Sequence, residues 1–341
     1  MASFYRNRVV VFDVDIASSS GATQVALTGG VELSSSALQW PHGVDFLDDD
    51  TVIVTSRGRD VAFFELPPGN RDVRSLEVLP IARWPSDRTT LMNAPGSVAV
   101  SHVGDDGCEV LICNNDGHTV TRHLLDCDAG RAVRHSEILL QKYLDIPDGV
   151  SVSPDRRWIA VSNHATHHVL LYQNSPALSA NAEPDGILRQ ASYPHGLRFS
   201  ADGRHLFVAD AGAPYLHIYA QDSDEWRGVR HPLATVRIMD DPMFERGRRN
   251  PEEGGPKGLD IDARSRVARR GSRGFWASVT SSASCKRAVR WPRGPTKHTS
   301  CGTAYRGGSP RRCDASMPPS VDADPRAPRP TGARPRGSPL P

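Results

Sequence analysis

One element recurs through this 341-residue sequence and restricts its fold more than any other: a Pro-x-Gly start followed by an alternating apolar strand, a turn and a second apolar strand. The copies begin Pro41-His42-Gly43, Ala94-Pro95-Gly96, Pro147-Asp148-Gly149, Pro194-His195-Gly196 and Pro256-Lys257-Gly258, with glycines 53, 53, 47 and 62 residues apart. In the fourth copy Leu197 and Phe199 alternate with polar residues, Asp202-Gly203 supplies a hairpin turn, and strands are expected at His205 to Asp210 and Tyr215 to Tyr219. The third copy repeats the plan with Val150 and Val152, the turn Ser153-Pro154-Asp155-Arg156, and strands at Trp158 to Ser162 and His168 to Tyr172. A fourth, outer strand fits the linkers, for instance Ser75 to Ala82 or Ser136 to Gln141.

Four strands in about 50 residues make one propeller blade. Leucine-rich repeats need a shorter period, and no segment between the copies has the length and 3.6-residue periodicity of a crossover helix. The expected class is therefore all-β: a β-propeller with about five recognisable blades, six or seven in an intact parent. The run Arg8 to Asp15 reads as a lone strand, of the kind that closes a propeller ring by joining the last blade.

The fifth copy starts correctly through Asp262 and then changes composition. Residues 263–341 hold 17 Arg and Lys against 3 Asp, and are rich in Ser, Pro and Gly. Such a segment cannot fill a core. Residues 1–262 are expected to be an incomplete propeller and 263–341 a disordered or out-of-frame tail, with the open ring exposing strand edges. The net charge of +2 hides this split, since residues 1–262 carry 24 basic against 36 acidic residues. An acidic body lacks the basic patch that nucleic acid requires, so no specific nucleic-acid partner is expected. Asp13 and Asp15 interrupt the apolar run Val9 to Phe12, which argues against a signal peptide or membrane span and for a cytoplasmic protein. The six cysteines show no C-x-x-C pair and are read as free thiols, with Cys113 a small buried hydrophobe.

The copies at 147–172 and 194–219 resemble lactonase-type (6-phosphogluconolactonase-like), YncE-type and NHL-repeat β-propellers in their Pro-His-Gly start, Pro-Asp or Asp-Gly turn, and apolar strand ending in Asp or Asn. The resemblance covers residues 41–262 at the level of blade pattern. It implies the fold and leaves activity open, because such propellers include lactone hydrolases, metal-dependent lyases and non-catalytic binders.

In a propeller the innermost strands line the central channel, so the residues between Pro and Gly should gather at one end: His42, Asp148, His195 and Lys257. The residues closing each second strand should lie nearby: Ser56 and Arg57, Asn114 and Asn115, Asn163 and His164, and Asp210. Imidazoles with a carboxylate can hold a divalent cation that polarises a carbonyl or activates water. On that basis His42, His195 and Asp148 are candidate metal ligands, with Asp148 and His195 the catalytic candidates. Arg57, Asn114, Asn163, Asp210 and Lys257 are candidate ligand-binding residues. The competing expectation is that these groups only hydrogen-bond one another and channel water. His164, His167 and His168 form a denser cluster at a turn, where solvated histidines are the commoner outcome. Two functions follow: a non-catalytic propeller binding a small molecule or protein at the channel mouth, or a metal-assisted lactonase-like hydrolase or lyase.

Overall fold

The computed structural model describes residues 1–19, 22–66, 75–104, 107–126 and 130–261, and, as backbone alone, 266–270 and 278–280. Each repeat copy opens the innermost strand of an antiparallel sheet: Pro41–Phe46, Pro95–Gly104, Pro147–Val152, Pro194–Phe199 and Gly258–Ile261. Successive inner strands lie side by side, which makes the chain a five-bladed β-propeller. Blade one continues outward through Thr51–Ser56, Val61–Glu65 and Ala82–Trp84, and blade two through Gly107–Asn114, Thr119–Leu125 and Val133–Leu140. Blade three uses Trp158–Asn163, His168–Gln173 and Gly186–Leu188, and blade four His205–Asp210, Tyr215–Ala220 and Ala234–Arg237. The fifth blade runs on through Arg266–Arg270 and Ser278–Thr280, inside the segment where the composition turns basic. The rest of the expected tail lies outside the described residues.

Core packing explains why the second strands are apolar without alternation. Those of blades one and three, Thr51–Ser56 and Trp158–Asn163, are buried along their whole length, because each blade is covered on both faces by its neighbours. Leu111 and Val120 of blade two pack with Val150, Ile159 and Tyr172 of blade three. On the other face of that blade, Trp158 and Val169 pack with Leu197, Leu206 and Tyr219 of blade four. Hydrophobic burial of this kind is the main force that holds blade to blade.

The turns between first and second strands repeat in detail. Ser153 Oγ donates to Asp155 Oδ1 (2.6 Å) while accepting from the Trp158 amide (2.9 Å), and Ser200 Oγ does the same with Asp202 (2.5 Å) and the His205 amide (2.9 Å).

Two sequence expectations are adjusted. The Arg8 segment is not a lone strand: Arg8–Ser19 pairs antiparallel with Ala22–Ser34, flanked by Ala2–Ser3 and by Ser75–Glu77. That sheet packs Val9, Val31 and Leu33 against Val52, Val54 and Phe64 of blade one, and its strand Ala22–Ser34 also approaches Ser278–Thr280 of the fifth blade. Cys113 is a buried free thiol, but Cys108 is disulfide-bonded. Cysteines distant in sequence pair when the fold brings their Cβ atoms together, which spacing does not reveal.

His123 lies inside blade two with both ring nitrogens on hydroxyls, Ser136 Oγ at 2.9 Å and Thr121 Oγ1 at 2.8 Å, and Trp84 against its ring. Burial lowers its pKa from 6.5 to about 4, with His135 adding to the effect. The unfolded chain therefore takes up a proton that the fold refuses. We predict that stability falls as the pH drops from about 6.5 toward 4, by on the order of 3 kcal/mol from this group. Urea denaturation across that range should show the slope, and His123→Gln should flatten it.

Among the described residues no helix is long and apolar enough to cross a membrane.

Candidate functional site

The proline that opens each inner strand pairs with the residue closing the second strand: Pro41 with Ser56, Pro95 with Asn114, Pro147 with Asn163 and Pro194 with Asp210. Pro95 is thus the counterpart of Pro41, and Gly96, not Pro95, occupies the position held by His42, Asp148 and His195. A shared backbone bond fixes the next residue of the second strand in each blade. The amides of Arg57, Asn115, His164 and Ala211 donate to the carbonyls of Trp40, Ala94, Ile146 and Tyr193, at 2.9–3.2 Å. Two rings of side chains result, one from the inner strands and one from the residues just after the second strands.

The inner ring converges. His195 Nε2 lies 3.0 Å from Asp148 Oδ2, and His42 Nε2 lies 3.4 Å from Asp148 Oδ1. The two imidazoles are stacked, centroids 5.2 Å apart. One ligand atom from each of His42, Asp148 and His195 lies within 4.8 Å of the others. Gly96 has no side chain to add, and its place is taken by Asn115, whose Nδ2 donates to Asp148 Oδ1 (3.0 Å). A Cβ on Gly96 would stand 1.9 Å from Asn115 Oδ1, so the missing side chain is what lets the carboxamide reach the carboxylate. Lys257, from the fifth blade, ion-pairs with Glu253.

Glu253 comes from the longer connection between blades four and five, the source of the 62-residue glycine spacing. That connection holds a short helix, Asp241–Gly247, capped by the Asp240 carboxylate on the Met243 amide (2.8 Å). Its end is fastened by the amides of Gly254 and Gly255 donating to the Ala211 carbonyl (3.0 and 2.8 Å). Asn250 Oδ1 accepts from the Glu253 amide (2.7 Å), and its Nδ2 donates to Glu253 Oε2 (3.0 Å). Glu253 Oε1 then meets His164 Nε2 at 2.9 Å. His164 is not a solvated turn residue: its side chain is 13% exposed, lies edge-on to His195, and packs against Tyr193. His167 and His168 remain at the turn.

Asn114, Asn163 and Asp210 have a different task. Asn114 Oδ1 accepts from the Asn93 amide (3.0 Å) and Asn163 Oδ1 from the Asp145 amide (2.6 Å). Asp210 accepts from the amides of Ser192, Tyr193 and Gly212 and is bonded to His217 Nε2 (3.0 Å). The three are buried equivalents that pin the loop leading into each inner strand, because a side chain paired beside the proline points into the blade. The site is served instead by the residue after them, as Asn115 and His164 are. Arg57 holds that next position in blade one, 3.9 Å from Asp116.

Burial and charge set the protonation. Burial pushes the His42 imidazole down to about 4, against the attraction of Asp148 and with help from His195, Arg57 and Lys257, so it is neutral near pH 7 with a free lone pair. Burial alone would raise Asp148; His195, His42 and the bond from Asn115 overcome that and hold the carboxyl well below the usual range. Glu253 is likewise kept ionised, its burial outweighed by His164 and Lys257. Three residues beyond the inner ring, Arg198 bridges Asp45 Oδ1 (3.8 Å) and Asp260 Oδ1 (3.3 Å) and reaches the Val150 carbonyl (3.4 Å). This ion triad forms a second layer behind the histidines.

At the outer side, Phe4 meets His42 edge-on and stacks on Trp40 at 6.1 Å. Trp40 is 48% exposed and held at φ +55°, a conformation uncommon for a bulky side chain. Its amide donates to Asn7 Oδ1 (2.8 Å), which fixes it there.

The donor set suits a divalent ion. Coordination bonds of about 2.0–2.2 Å place neighbouring donor atoms about 3.0–3.6 Å apart and opposite ones about 4.2 Å apart, which is close to the spread of His42, Asp148 and His195. Two imidazoles with a carboxylate favour a first-row transition ion or zinc over calcium or magnesium.

No protein-family profile and no curated protein matches this sequence. Among solved structures the chain is similar to a Bacteroides uniformis protein provisionally named a 6-phosphogluconolactonase, with 16% identity over 80% of this chain and 82% of that one and a TM-score of 0.45. It is also similar to a Lactobacillus plantarum protein (14%, 80% and 81%, TM-score 0.49) and to a luciferin-regenerating enzyme (13%, 73% and 76%, TM-score 0.47). These likenesses are distant, and the architecture is read from the chain's own sheets. The chain is a five-bladed β-propeller.

Proposed function

We propose that the end of the propeller channel holds a divalent ion on His42, Asp148 and His195, and that the chain uses it to hydrolyse or eliminate from a small carbonyl substrate of the lactone type. The convergence of those three ligand atoms within 4.8 Å, on inner strands of three different blades, supports this reading most directly. A bound ion would supply Lewis-acid polarisation of the carbonyl and a more acidic water. The chain's own residues do the rest. Asn115 orients the Asp148 carboxylate, and Arg57 offers a charge to an anionic group entering from the mouth. Phe4 and Trp40 shield His42 on the open side, and the Arg198 triad backs the channel. A second reading, binding without catalysis, is favoured by Trp40, Leu91 and Tyr143. These exposed apolar side chains all sit at positive φ in the loops that lead into blades one to three.

The two readings part in one experiment. Purified chain is analysed for metal, loaded with zinc or manganese, and assayed by pH-stat against a panel of lactones. The enzyme reading expects one equivalent of metal and turnover that disappears in His42→Ala/His195→Ala. Metal binding without turnover on any lactone would favour the binder, and no metal at all would remove the basis of the proposal.

A further inference from the structure

The second ring contains an electronic mismatch that the three-residue set does not resolve. Glu253 Oε1 lies 2.9 Å from His164 Nε2, the contact in which that ring nitrogen donates to a carboxylate. Among the described residues the buried Nδ1 of that ring has no hydrogen-bond partner, and Asp148 Oδ2 lies 3.9 Å from it. The two buried atoms face each other across a gap too wide for a hydrogen bond. Buried polar groups are normally paired, and an orphaned one marks an absent partner. A cation seated between them would pair with both the ring nitrogen and the carboxylate.

We infer that His164 is a fourth protein ligand of the divalent ion, binding through Nδ1, and that Glu253 is the positioning residue that fixes its tautomer. The inference rests on the metal reading given above and extends it. A carboxylate hydrogen-bonded to the far nitrogen of a ligating imidazole is the usual way a protein orients such a ring and raises its basicity. The structure contains the heavy atoms of that arrangement: the insert carboxylate on Nε2, and Nδ1 turned toward Asp148. A gap of 3.9 Å between Nδ1 and Oδ2 falls between the separations expected of neighbouring and opposite donors around one ion, about 3.0–3.6 and 4.2 Å. The Asn250 side chain and the Gly254 and Gly255 amides hold Glu253 in place by three separate anchors. The longer fourth-to-fifth blade connection therefore supplies part of the metal site. The resulting set, three imidazoles and a carboxylate with Asn115 behind it, suits zinc or a neighbouring first-row ion rather than an oxygen-seeking one.

The test uses the full chain and the metal alone. Cu(II)-loaded protein is examined by electron spin-echo modulation, which counts coordinated imidazoles, and zinc affinity is measured by chelator competition. Parent protein should show three imidazoles and His164→Gln two. Glu253→Gln should weaken zinc by about 10- to 100-fold, as loss of an orienting partner does. Should Glu253→Gln not fold, the imidazole count in the parent and in His164→Gln still decides. Two imidazoles in a parent protein that binds one ion, or zinc affinity unchanged in Glu253→Gln, would overturn the role of His164 and leave the three-residue site intact. A parent chain that binds no ion would overturn both.

Discussion

Replacing Asp148 with asparagine is expected to weaken divalent-ion binding by well over 100-fold while leaving the metal-free chain as stable as the parent, or more stable. The two halves of this prediction have one cause. Among the described residues Asp148 is the one carboxylate in direct contact with both inner-ring imidazoles. Its oxygens are almost fully withdrawn from water, with a side-chain exposure of 6%. Keeping a charge there is costly unless something positive compensates. Around neutral pH the His42 imidazole is uncharged, which leaves the contact with His195 and the hydrogen bond from Asn115 to offset that cost, and a bound cation would add to them. Asparagine keeps the shape and one acceptor for Asn115 or His195, and it removes the desolvated charge together with the anionic ligand. The loss should exceed that of an orienting partner, which is about 10- to 100-fold. Calorimetric melting with and without zinc reads both terms. At a free ion concentration 100 times Kd the parent should gain about 2.7 kcal/mol, and Asp148→Asn should gain almost nothing. If metal-free Asp148→Asn melts far below the parent, Asp148 is a structural group and the functional reading loses its main support.

Gly149→Ala is expected to be a highly damaging single methyl group at the inner ring, at about 3 kcal/mol or more. A Cβ at that position would lie 2.1 Å from the His195 carbonyl oxygen, 3.1 Å from its carbonyl carbon and 2.8 Å from Ser162 Oγ. The first two are backbone atoms of the adjacent inner strand, which cannot rotate away. Relief therefore means forcing blades three and four apart, at the upper end of the cost of overpacking. The displacement would also separate His195 from Asp148, so metal binding should fall together with stability. Gly203 is the control. It sits at φ +71° in the turn of blade four, and a Cβ there would find only Pro154 Cδ at 3.7 Å. Its replacement by alanine carries the conformational penalty alone, about 1 kcal/mol. Urea denaturation of both variants should rank them in that order. Equal losses would mean that the blades can yield at the inner ring.

The inner ring was legible because it is periodic. His42, Asp148 and His195 each follow a proline that opens an inner strand, and strands of successive blades must meet around one axis. The second ring was harder to read. Asn114, Asn163 and Asp210 stand out in the sequence as polar ends of apolar strands, yet the fold turns them into the blades, and the residue after each one faces the site. One residue of register separates a loop anchor from a site residue, and strand geometry makes that step reverse the side chain's direction. The same one-residue shift places Gly96 where a sequence alignment on glycines puts Pro95. Glu253 carries no motif of its own. Its only trace in the sequence is the longer spacing before the fifth copy, a signal that something is inserted without a sign of what it reaches.

By itself the sequence determined the class of fold, the order of the blades and the shared repeat position of His42, Asp148 and His195. All three depend on the apolar alternation and turn chemistry of a repeat about 50 residues long, and both are local properties. Only the tertiary structure decided which polar side chains face the channel, that Gly96 leaves room for Asn115, and that an insert past the fourth blade sets a carboxylate against His164. Those outcomes depend on strand register and on close approach between segments far apart in the chain, where displacements of an ångström or two separate a hydrogen bond from a clash.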